Sequence, residues 1–402
     1  MSMDRMPQIY FIYEREMPTV EILHAEFEML SDENEFEVFF RRNVEVVRKD
    51  IEDADVLVMV RPHNVLSQRL AEHGRRSGCF VASYLDDDML DLPENVHSIP
   101  WRLRALRRVL AISDAVIAPN PRLSEKYGRM TRRKRGVTVD TCVTETELSE
   151  IPEKTASEIP VKLVYAAGRH HSDAVGRYIY PILKRLNETH RDSITMTFAG
   201  VSPAFQPEEF GFLIECRGEM TLDEYRLWMR EQSFDIGFAP LEDTPFNRGK
   251  YFVKYLEYSL AGTVGIYSRC EPYTCVIEDG KNGYLADSEE EWIEKTLRLI
   301  DDAALRRKFL LGAKRQLGER FDRRKIYASL KQELPELFEK KSKCGRCGDL
   351  LPAKLRYRVS LALDFGYLFV HYLRRSGLRS TIARTTTHFR INRMYQNKGE
   401  KK

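Results

Sequence analysis

Residues 235–268 read DIGFAPLEDTPFNRGKYFVKYLEYSLAGTVGIYS. A short apolar run ends at Pro240, a residue without the N–H that a sheet ladder needs. A polar loop follows, then a largely apolar segment, the small-residue turn Ala261–Gly262 and a second short apolar run. Strand, loop, helix, turn and strand in this order make a βαβ unit with parallel strands. Between Tyr251 and Tyr267 the segment keeps only two charges, Lys254 and Glu257, three positions apart. Helical spacing brings Lys250, Lys254 and Glu257 together in projection and turns Val253, Leu256 and Leu260 to another face, expected to be core. A solvated Lys–Glu pair, worth about 0.3 kcal/mol, is the plain alternative. Tyrosine-rich flanks argue instead that the two charges face a ligand. So does a helix start near a strand's carboxyl end, where phosphate can be held.

The same rhythm extends in both directions. Upstream, QIYFIY, FEVFFRR, DVLVMV, CFVASYL, DAVIAP and VTVDTC read as strands, separated by helical patterns at Val20–Leu30, Asn64–Arg75, Trp101–Ile112 and Arg122–Met130. The polar stretch Thr144–Pro160, with Pro152 and Pro160, reads as a linker. After it the pattern restarts with VKLVYAAG, a helix at Ala174–Leu186, SITMTFAG, FLIECRG and a helix at Leu222–Gln232. Helices at Glu289–Ile300, Ala304–Gly312 and Tyr327–Lys340 close it. Short apolar strands alternating with helices predict parallel sheets covered on both faces, here two doubly wound domains facing across a cleft. A chain of 402 residues has ample length for two such cores.

Charge is unevenly spread. Residues 351–402 hold twelve Lys/Arg against Asp364 and Glu400, a net +10, so residues 1–350 carry −7 of the overall +3. The tail flanks the mainly apolar Val359–Leu373 with Arg356, Arg358, Arg374 and Arg375. This predicts a basic amphipathic segment that meets an anionic membrane surface, or a helix packed back on the first domain. No apolar run reaches the roughly 18–20 residues of a membrane span. Met1–Pro7 leads straight into QIYFIY without a signal-peptide pattern, and seven thinly spread cysteines suit a reducing cytosol. The single CxxC, Cys344–Cys347, lacks the second pair that zinc requires. No nucleic-acid-binding module is recognisable.

The quoted stretch, followed by PYTCVIEDGKNGYL at 272–285, resembles the donor half of GT-B nucleotide-sugar glycosyltransferases, in the large retaining family (glycosyltransferase group 1, family 4-like). The resemblance covers about residues 160–335. It implies a Rossmann-like acceptor domain over residues 1–150 and a nucleotide-sugar donor domain over residues 160–340, with the basic tail at 351–402. In that family the helix glutamate accepts hydrogen bonds from the ribose hydroxyls, the place Glu257 holds. Nearby cations meet the diphosphate, with Lys254 first and Lys250 and Arg248 behind it. Fixed cations stabilise the charge that develops on a leaving diphosphate. Gly168 and Arg169, in VYAAGRHHSD, stand where the family offers a tight turn and a phosphate contact, and His170 and His171 follow them. Asp173 is expected to cap the next helix. Family members usually carry another glutamate eight positions before the first, and here that position is Gly249. Glu242, Asp243 or the backbone amides of Asn247–Lys250 are candidates to replace it.

In the first half, SYLDDDMLDLP sets Asp86, Asp87 and Asp88 after an apolar strand. One of these carboxylates could orient or deprotonate an acceptor hydroxyl, with Asp87 and Asp88 the candidate catalytic residues; a loop and N-cap cluster is the alternative. Arg61 and His63, in VRPHN, end another strand and are candidates for the acceptor side or a phosphate. The expected activity is transfer of a sugar from a nucleotide diphosphate donor to an acceptor hydroxyl, without a metal or other cofactor. Bacterial surface polysaccharide or glycolipid assembly, at the inner face of the membrane, is the setting the resemblance and the tail imply. A non-catalytic glycosyltransferase-like subunit, or another enzyme on the same scaffold, are the alternatives.

Overall fold

The computed structural model describes residues 5–31, 35–92, 100–152, 159–168 and 172–341, with scattered positions between 355 and 382. The chain divides into two compact units, residues 1–141 with 326–402, and residues 142–325.

The first unit contains a six-stranded, all-parallel sheet: β1 (Gln8–Tyr13), β2 (Glu37–Arg42), β3 (Val56–Val60), β4 (Phe80–Tyr84), β5 (Ala115–Ala118) and β6 (Gly136–Thr138), in the order β2-β1-β3-β4-β5-β6. Every residue of β3 and β4 is buried. Because side chains alternate between faces, such strands need helices on both sides, which explains their unbroken apolar runs. Ile9 and Phe11 pack on one face with Leu23 and Phe27, while Tyr10 and Ile12 pack on the other with Leu70 and Ala71. The helix Arg323–Glu333 carries the chain back here, and Leu330, Leu334 and Leu337 join the core with Ile9 and Phe11. Burying each such leucine contributes roughly 1.5–3 kcal/mol.

The second unit repeats the design with β7 (Val161–Ala166), β8 (Ile194–Ala199), β9 (Leu213–Arg217), β10 (Ile236–Ala239), β11 (Val264–Ser268) and β12 (Tyr284–Ala286), again all parallel. Its order, β12-β11-β10-β7-β8-β9, reverses direction between β7 and β10. In the first sheet the reversal falls between β1 and β3. Ligands of open α/β sheets bind outside the strands' carboxyl ends at these reversal points.

Three local expectations are corrected. Thr144–Pro160 is not simply a linker: Thr144 and Glu147 form a capping box on the helix Glu145–Ser149, and Ile151 is buried in the second unit's core. Residues 153–158 lie outside the described residues. Asp173 lies inside the helical turn Ser172–Ala174 rather than capping it. That turn continues through a π-helical stretch, Val175–Ile179, into Tyr180–Thr189, where Pro181 lacks the N–H for a regular ladder. Finally, the quoted segment holds two helices. Pro245–Arg248 is a single turn ended at Gly249, and Val253–Leu260 starts only after Phe252. Lys250 therefore precedes the helix that carries Lys254 and Glu257.

Candidate functional site

In the second unit the helix Val253–Leu260 follows β10, so its first turns lie at the carboxyl side of the sheet. Tyr255, Leu256, Tyr258 and Ser259 form its buried face, whereas Val253 and Leu260 are only partly covered. Room for this packing comes from glycine. A Cβ on Gly237 of β10 would lie 2.6 Å from the Tyr258 ring, whose hydroxyl donates to the Phe238 carbonyl at 2.8 Å.

Lys254 and Glu257 do not project into bulk solvent. Their side chains are 27% and 13% exposed, and the Lys254 Nζ donates to Glu257 Oε2 at 2.6 Å. Tyr225, from the helix Leu222–Gln232, closes the group: its hydroxyl donates to Glu257 at 3.2 Å and accepts from Lys254 at 3.1 Å. The ammonium also sits 4.7 Å from the Tyr225 ring centre and 5.9 Å from that of Tyr258. Burial opposes its charge, but the Glu257 carboxylate outweighs burial, so Lys254 holds its proton above the ordinary lysine value. Burial and the same carboxylate push the Tyr225 phenol well upward. A protonated amine, a carboxylate and a neutral phenol thus meet at one point, a set able to grip an anion and a diol together.

The other donor-side candidates are arranged differently. Arg248 chelates Asp243 at 2.5 and 2.7 Å, and the Lys250 Nζ lies 5.4 Å from the Phe246 ring centre. Glu242 pairs with Arg177 at 2.6 Å. Gly168 is exposed two residues beyond β7, at the sheet's reversal point, with open space where a Cβ would stand. Arg169, His170 and His171 lie outside the described residues, as do Cys344 and Cys347.

The first sheet has its own cluster at its reversal point. Glu14 directly follows β1, Arg61 directly follows β3, and Asp86 and Asp87 follow β4 after Leu85. Arg61 has φ of 43°, a left-handed value uncommon for a side chain of this size. Its N–H donates to the Tyr84 carbonyl at 2.9 Å. Its guanidinium grips Asp86 at 2.5 and 2.8 Å and Asp87 at 2.7 Å, and Thr19 donates to Asp86 at 2.6 Å. Burial opposes the Arg61 charge, yet the Asp86 carboxylate raises its pKa overall.

His63 and Glu14 share Arg102, from the helix Pro100–Ile112. Arg102 donates to His63 Nε2 at 2.7 Å and to Glu14 at 3.1 and 3.3 Å. A guanidinium can only donate, so Nε2 accepts and the imidazole proton sits on Nδ1, which donates to the Arg61 carbonyl at 2.6 Å. Burial lowers the His63 pKa and Arg102 adds to this, against the pull of Glu14. Burial works against the Glu14 charge too, but His63, in its protonated form, and Arg102 bring its pKa down to about 2. Asn64, next in line, caps the helix Val65–Arg76 through Ser67 N at 2.7 Å, which fixes the loop after β3.

Asp88 stands apart from this cluster. It is 4% exposed, accepts from Lys126 Nζ at 2.7 and 2.8 Å and from the Tyr127 hydroxyl at 2.6 Å, and so ties its loop to the helix Pro121–Gly128. Of the two aspartates singled out for catalysis, only Asp87 belongs to the Arg61 group.

Tyr225, Glu14 and Arg102 were missed from sequence. Glu14 had a signal, an ionisable residue directly behind an apolar strand, the same that marked Arg61 and the Asp86–Asp88 run. Tyr225 and Arg102 had none, because helical spacing ties neither to the residues it meets. Among the described residues no group of three or more His, Cys, Asp or Glu is arranged to hold a metal ion.

No family model and no curated protein matches the chain. Solved structures do. Anabaena HepE in complex with UDP-glucose superposes with a TM-score of 0.58 at 13% identity, covering 82% of this chain and 99% of its own. Sucrose-phosphate synthase from Thermosynechococcus elongatus gives a TM-score of 0.58 at 12% identity, covering 83% and 99%. The lipopolysaccharide outer core galactosyltransferase WaaB gives 0.53 at 13% identity, covering 81% and 99%. With two six-stranded parallel sheets, each clad in helices, the chain has the GT-B fold of these sugar-transferring enzymes.

Proposed function

We propose that the chain is a glycosyltransferase that moves a sugar from a nucleotide diphosphate donor to an acceptor hydroxyl. The observation that carries this reading is the shielded Lys254–Glu257–Tyr225 group on the helix after β10. The Glu257 carboxylate can accept from the two ribose hydroxyls, and the Lys254 ammonium can neutralise a diphosphate oxygen as the glycosidic bond breaks. Gly168 leaves room for a close phosphate approach, with Arg169 as its cation. The neighbours support the substrate class, since HepE is in complex with UDP-glucose and WaaB is named a galactosyltransferase.

The second unit then takes the donor and the first unit the acceptor, with Asp87, Arg61 and His63 on the acceptor side. Retention of anomeric configuration, independence of metal and a role in bacterial surface polysaccharide or glycolipid assembly complete the reading. Among the described residues no helix is long and apolar enough to cross a membrane. We assign peripheral contact with the inner face of the membrane to residues 351–402, on the strength of their +10 charge. The rival reading, a non-catalytic subunit with an altered donor site, is favoured by Gly249, where the resembling family has its second glutamate.

Calorimetric titration of the full chain with UDP-, GDP- and dTDP-sugars tests the proposal. Binding of one of them followed by sugar transfer or slow donor hydrolysis is expected. Binding without either favours the non-catalytic subunit, and no binding at all removes the donor reading.

A further inference from the structure

We propose that the cluster at the first sheet's reversal point, Glu14, Arg61, Asp86, Asp87 and Arg102, binds an uncharged sugar and rejects a phosphorylated one. The proposal deepens the transferase reading and rests on it only for taking the hydroxyl-bearing ligand to be a sugar.

Placement comes first. The five side chains sit directly behind the carboxyl ends of β1, β3 and β4, apart from Arg102, which reaches in from the helix Pro100–Ile112. A doubly wound sheet binds its ligand there. The fold itself does not require charges at this point. Shielding five of them costs desolvation that ion pairing at best offsets, and apolar residues of similar size would serve stability as well or better. Arg61 adds a left-handed backbone that costs about 1–3 kcal/mol in a residue other than glycine.

Charge decides the ligand class. Both guanidiniums already hold carboxylates: Arg61 holds Asp86 and Asp87, and Arg102 holds Glu14. Arg15 and Glu16 follow Glu14 with opposite signs, so these seven side chains sum to −1. Glu26, which acts on Tyr84 beside Asp86, adds to the same sign. His63 contributes no charge, since its Nε2 accepts from Arg102. A phosphate would therefore approach three carboxylates and would have to strip one of them from its arginine. A sugar hydroxyl has no such conflict, because it donates to a carboxylate that already holds its arginine and can accept from a guanidinium N–H. A carboxylate accepts up to about four hydrogen bonds. Asp87 and Glu14 keep 28% and 25% of their side-chain surface exposed, enough for a hydroxyl to reach them.

Saturation-transfer NMR on the full chain, with affinities from competition, tests this. The probes are glucose, methyl α-glucoside, N-acetylglucosamine and lactose, with glucose 6-phosphate as the charged match to glucose. At least one neutral sugar is expected to bind, with glucose 6-phosphate about tenfold weaker or undetectable. Asp87→Asn and Glu14→Gln, which keep shape and remove charge, are each expected to weaken the neutral sugar about tenfold. Glu257→Ala is expected to leave sugar binding intact while weakening UDP. A wild-type chain that binds a neutral sugar through Asp87 but binds no nucleotide would remove the donor reading and leave this site standing. Silence from every neutral sugar, tighter binding of glucose 6-phosphate, or affinity unchanged in both carboxylate variants would overturn the inference.

Discussion

The Lys254 ammonium stands 2.6 Å from the Glu257 carboxylate, and Tyr225 is hydrogen-bonded to both. Each partner has thus already lost part of its water, and a ligand that replaces one contact gains from the fixed geometry of the others. Glu257→Ala leaves the Lys254 charge shielded without its counter-ion and removes the acceptor for a ribose diol. Nucleotide-sugar affinity should fall about 10- to 100-fold and stability by about 1–2 kcal/mol, the pair being partly exposed. Titration calorimetry and urea unfolding read the two effects separately. Unchanged donor affinity in a folded variant would place the nucleotide elsewhere.

Tyr225→Phe is the milder probe. It keeps the ring that lies 4.7 Å from Lys254 and deletes only the hydroxyl. A loss of about 0.5–1.5 kcal/mol in stability and a several-fold weaker donor are expected. The same titration compared with Tyr225→Ala, which also removes the ring, separates the hydroxyl from the stacking surface.

Much of this was legible in advance, and the reasons are local. Unbroken apolar runs such as Val56–Val60, rich in β-branched residues, read as strands covered on both faces, and their carboxyl ends marked Arg61 and the Asp86–Asp88 run, with Asp87 and Asp88 preferred, as candidates. What failed depends on backbone turns and distant partners. Lys250 looked like a member of the Lys254 helix because periodicity ignores the break between Gly249 and Phe252. Three adjacent aspartates are chemically alike in a sequence. Lys126 and Tyr127, 38 and 39 positions away, distinguish Asp88 as a buried tie from Asp87 beside Arg61. Glu14 and Arg102 meet across 88 positions, beyond any local pattern.

That distinction gives a paired prediction. Asp88→Asn leaves the Lys126 ammonium with Asp91 as its remaining charged partner and weakens the Tyr127 contact. It should cost about 1–3 kcal/mol of stability. Asp87→Asn changes a partly exposed partner of Arg61, which keeps Asp86, so it should cost under about 1 kcal/mol and reduce sugar transfer at saturating donor. Thermal unfolding and transfer rates on the two variants separate a structural from a functional aspartate.

Acid should weaken the first unit in a defined window. The Glu14 pKa is depressed to about 2 from an ordinary 4.5, so between these values the unfolded chain binds the proton more readily than the folded one. Its contribution is complete above pH 4.5 and is lost as pH falls toward 2. His63 acts in the same direction, because its pKa is lowered from 6.5 and the unfolded imidazole takes up a proton first. Urea unfolding should therefore show stability declining from about pH 6.5 downward and more steeply below 4.5. Glu14→Gln should flatten the lower part of that slope while lowering stability at pH 7.

The basic tail makes the last prediction. Its twelve Lys/Arg against two acids follow a body of net charge −7, so any attraction to anionic lipid must come chiefly from residues 351–402. Each cation near such a surface contributes about 1 kcal/mol, and the effect fades within a Debye length of about 8 Å at physiological salt. The full chain should sediment with vesicles containing anionic phosphatidylglycerol and not with neutral phosphatidylcholine vesicles, and 0.5 M salt should release it. A chain ending at residue 350 should stay in the supernatant in every case while keeping its nucleotide-sugar affinity, since both sheets lie before that point. Sedimentation of the shortened chain with anionic vesicles would move the membrane contact from the tail to the folded units.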